Sequence, residues 1–242
     1  MTRILHLDSS ARTGISGIDA HGSHTRRLSA RFVARFVARR RETIDEITVV
    51  HRDLGAAPPA PVTGDWIRAA FTRPGERDES MHAVLAPSDA LVDELLAADI
   101  VVAGVPMYNF GPPAQFKAYI DNIVRVGRTF GFDRARAGEP YWPMLAGQGK
   151  RLVLLSSRGD YGYDTPRLAD RNHVESSIAT AFAYIGIEHV HCVAIEYDEF
   201  GDARLAASIA AAERAVDELV DRLVAETGHG TAIGRGRDVV DA

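Results

Sequence analysis

One cysteine, Cys192, stands in 242 residues, which excludes an intrachain disulfide and any zinc or iron–sulfur site built on several thiolates. Lysine occurs only at positions 117 and 150, so arginine carries nearly all the positive charge, and the formal net charge is −5. A global field of that sign does not draw the chain to nucleic acid or to an anionic membrane. The longest uninterrupted apolar stretch, around Ile178 to Ile187, is too short to cross a bilayer, and the start MTRILHLDSS holds no signal core. A soluble protein of the reducing cytoplasm is expected, with neither nucleic acid nor membrane as partner. Two loop motifs are also missing: neither GxGxxG nor GxxxxGK[ST] occurs, so neither a dinucleotide fingerprint nor a P-loop is read.

What is present is ordinary globular material, 46% hydrophobic and 25% charged, enough to exclude wholesale disorder. Five short apolar, β-branched runs read as strands: Ile4–Asp8, Ile44–Val50, Ile100–Val105, Arg151–Ser156 and His189–Ile195. Between them apolar residues recur at helical spacing, as in Leu28, Phe32 and Phe36, in Leu91, Leu95 and Leu96, and in Phe116, Tyr119, Ile120 and Ile123. Alternation of strand and helix predicts a parallel sheet with right-handed crossovers and helices on both faces. The third to fifth runs are nearly continuous in apolar residues, as for strands covered on both sides. Residues 55–80, with AAPPAP and TRPGERDES, predict a surface insertion with one helical turn near Trp66–Phe71. A last helix is expected from about Asp202 to Glu226, its Val216, Leu219, Val220 and Leu223 inward and its acids and arginines solvated, before a flexible tail over 227–242. Residues 1–226 then form a single domain.

Ligands of open parallel sheets bind at the carboxyl ends of the strands. After the first strand, Ser10 is followed by Ser23, His24 and Thr25 just before a helix; hydroxyls and amides at a helix N-terminus suit a phosphate, though Ser23 or Thr25 equally suits a plain cap. After the third strand, PMYNFGPP sets an aromatic and amide cluster before the next helix, and after the fourth, SSRGDYGYD offers glycines that let backbone approach a flat ligand.

Together LDSS with the later SHT, PMYNFGPPAQFKAYID followed by VGRTF, and the SSRG loop resemble the FMN-dependent NADH:quinone and azobenzene-type reductases. The resemblance spans about residues 3–225, weakly through the insertion. It implies a flavodoxin-like three-layer sandwich with a five-stranded sheet in order 2-1-3-4-5 and a homodimer with flavin sites at the subunit interface. It implies bound FMN, NADH or NADPH as reductant, and a quinone or azo compound as acceptor in a ping-pong cycle. The residues carried over are Ser10, Ser23, His24 and Thr25 for the phosphate, Pro106, Met107, Tyr108, Asn109 and Phe110 along the ring, and Ser157, Arg158, Gly159 and Asp160 on its other side. Two departures stand out: the segment from Ser10 to Ser23 is longer than in the family pattern, and Asp160 occupies a position where many relatives carry glycine. Because the flavin carries the hydride, no nucleophile or acid–base dyad is required; Tyr161, Tyr163 and His173 are candidates for supplying a product proton.

Two other functions share these features. A flavodoxin-like electron carrier or sensor would bind FMN without reacting with pyridine nucleotide. An esterase would use a first-loop serine with Asp170 and His173, but that histidine precedes the fifth strand instead of following it. No metal centre is expected: His189 and His191 share a strand face but are two ligands only. Cys192 on the same strand is expected to be a buried, inert thiol. Trp66, Phe71 and Trp142 are candidate interface anchors.

Overall fold

The computed structural model describes residues 1–42 and 46–229. Its sheet strands are β1 (Thr2–Asp8), β2 (Ile47–Asp53), β3 (Ile100–Pro106), β6 (Arg151–Ser157) and β7 (His189–Ile195), all parallel, in the order β2-β1-β3-β6-β7. This is the expected 2-1-3-4-5 topology once a small hairpin, β4 (Phe130–Phe132) with β5 (Tyr141–Pro143), is set aside. The second strand runs further than its apolar letters, through His51, Arg52 and Asp53, and the start of the predicted run, at Ile44 and Asp45, lies outside the described residues. It is an edge strand with Val49 and Val50 exposed.

Six helices complete the layers: α1 (His24–Arg41), α2 (Gly64–Phe71), α3 (Glu79–Ala97), α4 (Ala114–Ile123), α5 (Glu175–Ile185) and α6 (Ala203–His229). Alternate residues of each central strand face opposite cores. Leu5, Leu7, Val101 and Leu154 pack with Leu95, Phe116 and Phe182 from α3, α4 and α5. Ile4, Val102 and Val153 pack with Leu28, Phe32 and Phe36 of α1 and with Val216, Leu219, Val220 and Leu223 of α6. None of the helices among the described residues is long and apolar enough to cross a membrane.

Four expectations need correction. The acids of α6 are paired with the neighbouring helix: Arg27–Glu213, Arg31–Asp217 and Arg35–Asp221 form a ladder at 2.7, 2.8 and 2.9 Å, both partners repeating every four residues so that one helical row faces another. The fifth sheet strand is an edge, buried only at Ile195, and Cys192 is exposed there; surrounding protein and the charge of Glu175 push its thiol up to about 11, which leaves little of it as thiolate at neutral pH. Residues 55–80 are better ordered than their composition suggests. Asp78 caps α3, and Trp66, Ala69 and Ala70 of α2 pack on Leu85 as a small core, with the Arg125 guanidinium 5.4 Å from the Trp66 ring centroid. Trp66 is therefore no interface anchor. Trp142 is half-covered by its own hairpin, close against Gly131, where a Cβ would stand 1.9 Å from the ring; Phe71 remains exposed.

Candidate active site

The loop after β1 is shaped by one buried cation. Arg26, in the first turn of α1, donates to both oxygens of Asp53 at 2.7 Å, to the Arg12 carbonyl at 2.7 Å and to the Ser10 carbonyl at 3.0 Å. Burial works against its charge, but Asp53 and Asp8 outweigh it and raise its pKa further. Ser9 is fixed from both its amide and its hydroxyl, which donate to the Gly104 carbonyl at 3.0 and 2.9 Å. The long Ser10–Ser23 segment folds back on itself, the Ser23 amide donating to the Gly14 carbonyl at 2.7 Å. Ser10 and Ser23 are thereby brought to one cleft.

Ser23 is the N-cap of α1: its hydroxyl accepts from the Arg26 amide at 3.3 Å and lies 2.9 Å from the Thr25 hydroxyl. Capping and cleft-lining, the two roles open from sequence, thus coexist at Ser23, whereas Thr25 is fully buried behind it. The first turn of α1 holds no acid of its own to offset its positive end. Arg12 reaches the cleft with no carboxylate within 4 Å among the described residues.

After β3, Tyr108–Gly111 closes a tight turn, the Tyr108 amide donating to the Gly111 carbonyl at 2.9 Å and the reverse bond spanning 3.1 Å. Its central residues, Asn109 and Phe110, both have positive φ, 49° and 70°. Asparagine tolerates that region; phenylalanine is strained there. The turn is held from outside, with the Phe110 carbonyl accepting from the His173 amide at 3.0 Å and the Tyr108 hydroxyl from the Ala11 amide at 3.2 Å.

The loops after β6 and β7 form the far wall. His24 Nε2 stands 3.3 Å from Asp198, Ser157 donates to the same carboxylate at 2.8 Å, and Ser16 holds His24 Nδ1 at 2.8 Å. Burial opposes the Asp198 charge, but His24 and Ser157 outweigh it and hold its pKa below the usual carboxylate range. Gly159 lies against Glu199, where a Cβ would come within 2.5 Å of the carboxylate. Asp160 accepts from the Tyr161 amide at 2.8 Å and from Arg167 at 3.0 Å.

Two adjoining clefts result, of about 250 and 300 Å³, sharing Met107, Gly159 and Glu199. The first gathers Ser10, Ser23, His24, Pro106, Met107, Tyr108, Ser157 and Gly159; the second adds Asn109, Phe110, Asp160 and Tyr163. The Arg158 side chain is turned away, 2% exposed, and pairs with Glu175 at 2.7 Å, Asp164 at 2.9 Å and Glu196 at 3.2 Å. Tyr161 stacks on Tyr197 at 4.8 Å, and His173 is exposed; neither lines the clefts. Arg12, Asp198 and Glu199 were not singled out from sequence. The signal for the two acids is their place just after the last sheet strand, the same rule that selects the other loops.

A sequence model of the flavodoxin-like fold family matches residues 2–220. An FMN-dependent NADH:quinone oxidoreductase 2 of Colwellia psychrerythraea is 38% identical over 225 residues, covering 93% of this chain and all of the relative. The corresponding enzyme of Opitutus terrae is 40% identical over 210 residues, 86% of this chain and 97% of the relative. Among solved structures, an azoreductase from Bacillus anthracis superposes with a TM-score of 0.77 over 92% of this chain and all of that one at 23% identity, which speaks for the fold.

Proposed function

The chain belongs to the flavodoxin-like family of FMN-dependent NADH:quinone oxidoreductases, and we propose that it passes two electrons from NADH or NADPH to quinones and azo compounds with FMN held in the paired clefts. The observation supporting this most directly is the convergence of four strand-end loops on paired clefts, the first gathering the Ser10 and Ser23 hydroxyls with His24 and Arg12 and the second the turn of Asn109 and Phe110 with Met107, Asp160, Tyr163 and Arg171. At the hydroxyl-rich end Ser10, Ser23, His24 and Arg12 would hold the phosphate with the N-terminus of α1, since charge-assisted hydrogen bonds and the helix dipole both favour a dianion. Asp198 does not spoil that end, because His24 and Ser157 already satisfy it. Pro106 to Phe110 would line one side of the ring, and Ser157, Gly159 and Asp160 the other. Thr25 and Arg158 would act from behind, by fixing the helix start and the β6 loop.

When bound, FMN supplies the hydride chemistry, leaving the chain to bind, orient and exclude water. Reductant and acceptor would occupy the same mouth in turn, a ping-pong order. Of the three proton-donor candidates only Tyr163 lines the mouth; burial and the acids Asp160 and Glu199 raise its pKa, so the phenol keeps its proton. Residues 1–226 would act as one flavin-binding unit of a cytoplasmic homodimer, with exposed Phe71, Phe110, Tyr141 and Tyr184 as the apolar material for the contact. Purified protein should carry yellow FMN that bleaches on anaerobic addition of NADH or NADPH and recovers on addition of a quinone. FMN-loaded protein that neither nucleotide bleaches would refute the reading and favour an electron carrier.

A further inference from the structure

His6, Asp8 and His51 form a cluster that the oxidoreductase chemistry leaves unused, and none of them lines either cleft. His6 and Asp8 lie two residues apart on β1 and so share the sheet face turned toward α1. His51 is the residue of β2 in register with His6. Asp8 Oδ2 stands 3.0 Å from His51 Nε2 and 3.3 Å from His6 Nε2, and the three atoms lie within 4.8 Å of one another. Around a tetrahedral zinc ion with bonds of about 2.0 Å, neighbouring ligand atoms are about 3.3 Å apart.

A second observation points to a ligand. His6 is 8% exposed, and its buried Nε2 faces Asp8 Oδ2 at 3.3 Å without the geometry of a hydrogen bond and with no other hydrogen-bond partner among the described residues. The other Asp8 oxygen accepts from Ser29 at 2.7 Å, and glycine at position 104 leaves the carboxylate its room, since a Cβ there would stand 2.8 Å from it. The nearest cation, Arg26, is 3.7 Å from Asp8 Oδ2 but is already bound by both oxygens of Asp53. Asp8 and Asp53 against Arg26 leave one net negative charge for a cation. His51, with about half of its side chain exposed, opens the cluster to solvent, so that water can complete the coordination.

We propose that His6 Nε2, His51 Nε2 and one Asp8 oxygen bind a divalent ion of the zinc class, tying the edge strand β2 to β1 beneath the first loop. Two imidazoles and a carboxylate are the donor set of borderline transition ions and not of magnesium or calcium. The test is equilibrium dialysis of chelator-stripped, FMN-loaded protein against zinc, with metal analysis and thermal unfolding as readouts. The native chain should retain one equivalent and unfold at a higher temperature with zinc. His51→Ala, a change at a half-exposed side chain of the edge strand, should lose both effects. His189→Ala should keep them. No saturable zinc in the native chain, unchanged retention in His51→Ala, or loss in His189→Ala would each overturn the proposal.

Discussion

Replacing Arg158 by methionine keeps the apolar stem of the side chain and removes the guanidinium with its charge and donors. Three carboxylates then lose their cation, but unequally. Asp164 is 71% exposed and simply rehydrates, while Glu196 keeps the amides of Gly162 and Tyr163, at 3.0 and 3.1 Å. Glu175 is the one left stranded: its side chain is 12% exposed, and one of its oxygens has no hydrogen-bond partner even in the intact protein. Breaking a buried ion pair from one side costs about 3–5 kcal/mol, and because Ser156 still donates to Glu175 the expected loss is near the lower end, about 3 kcal/mol. With a urea slope of about 2–3 kcal/mol per molar, the unfolding midpoint should fall by about 1–1.5 M. Adding Glu175→Gln, which removes the uncompensated charge, should recover most of that loss. A penalty under about 1 kcal/mol, or a double variant no more stable than the single one, would show that the buried set is not held together as described. FMN affinity of folded Arg158→Met should change far less than its stability, as befits a side chain turned away from the cleft.

Arg12→Ala removes a guanidinium from the Ser10–Ser23 end of the cleft; at about 1.5–3 kcal/mol for a charged hydrogen bond, FMN should bind about 10- to 100-fold more weakly by fluorescence titration, and an unchanged affinity would remove Arg12 from the phosphate end. Gly104→Ala forces a methyl to 2.8 Å from Asp8 and 3.1 Å from the Thr25 carbonyl, both fixed, so denaturant unfolding should show a loss of about 1–3 kcal/mol. Burial opposes the charge of Asp53 but Arg26 prevails, holding its pKa below the usual carboxylate range. That stabilisation is complete well above the unfolded value of about 3.9 and is lost as pH falls through the lower folded value. Asp53→Asn should therefore cost about 1–2 kcal/mol at neutral pH and converge with the parent in acid; a gap constant with pH would contradict this.

Local pattern made the sheet legible because each central strand is a run such as Ile100–Val105, whose letters suffice to mark a strand buried on both faces. It failed where structure depends on distant partners. The hairpin strands β4 and β5 have three residues each, too few to show a period. Trp66 reads as exposed aromatic material in a proline-rich stretch; its burial depends on α3, through Leu85, Met81 and Val84, and on Arg125 further along the chain. Likewise SSRG places Arg158 in a flavin loop, but the carboxylates that turn its side chain inward lie as far as 38 residues away. The first, third and fourth loops converge as the strand-end rule expects, whereas Asp198 and Glu199 obey the same rule without an aromatic or glycine motif to draw notice. The His6–His51 pairing depends on parallel register, which no single strand encodes.

The first loop has a topological consequence. Because Ser23 is bonded back to Gly14, residues 15–22 are an excursion that leaves and rejoins the path at one point, so the span felt by the cleft is much shorter than the chain that makes it. Such a detour could be grafted or excised without moving Ser10 relative to Ser23. Ser16 ties it to the interior by holding His24 Nδ1. A shortened loop would therefore keep its hydroxyls in place and leave the His24 ring held through Nε2, by Asp198.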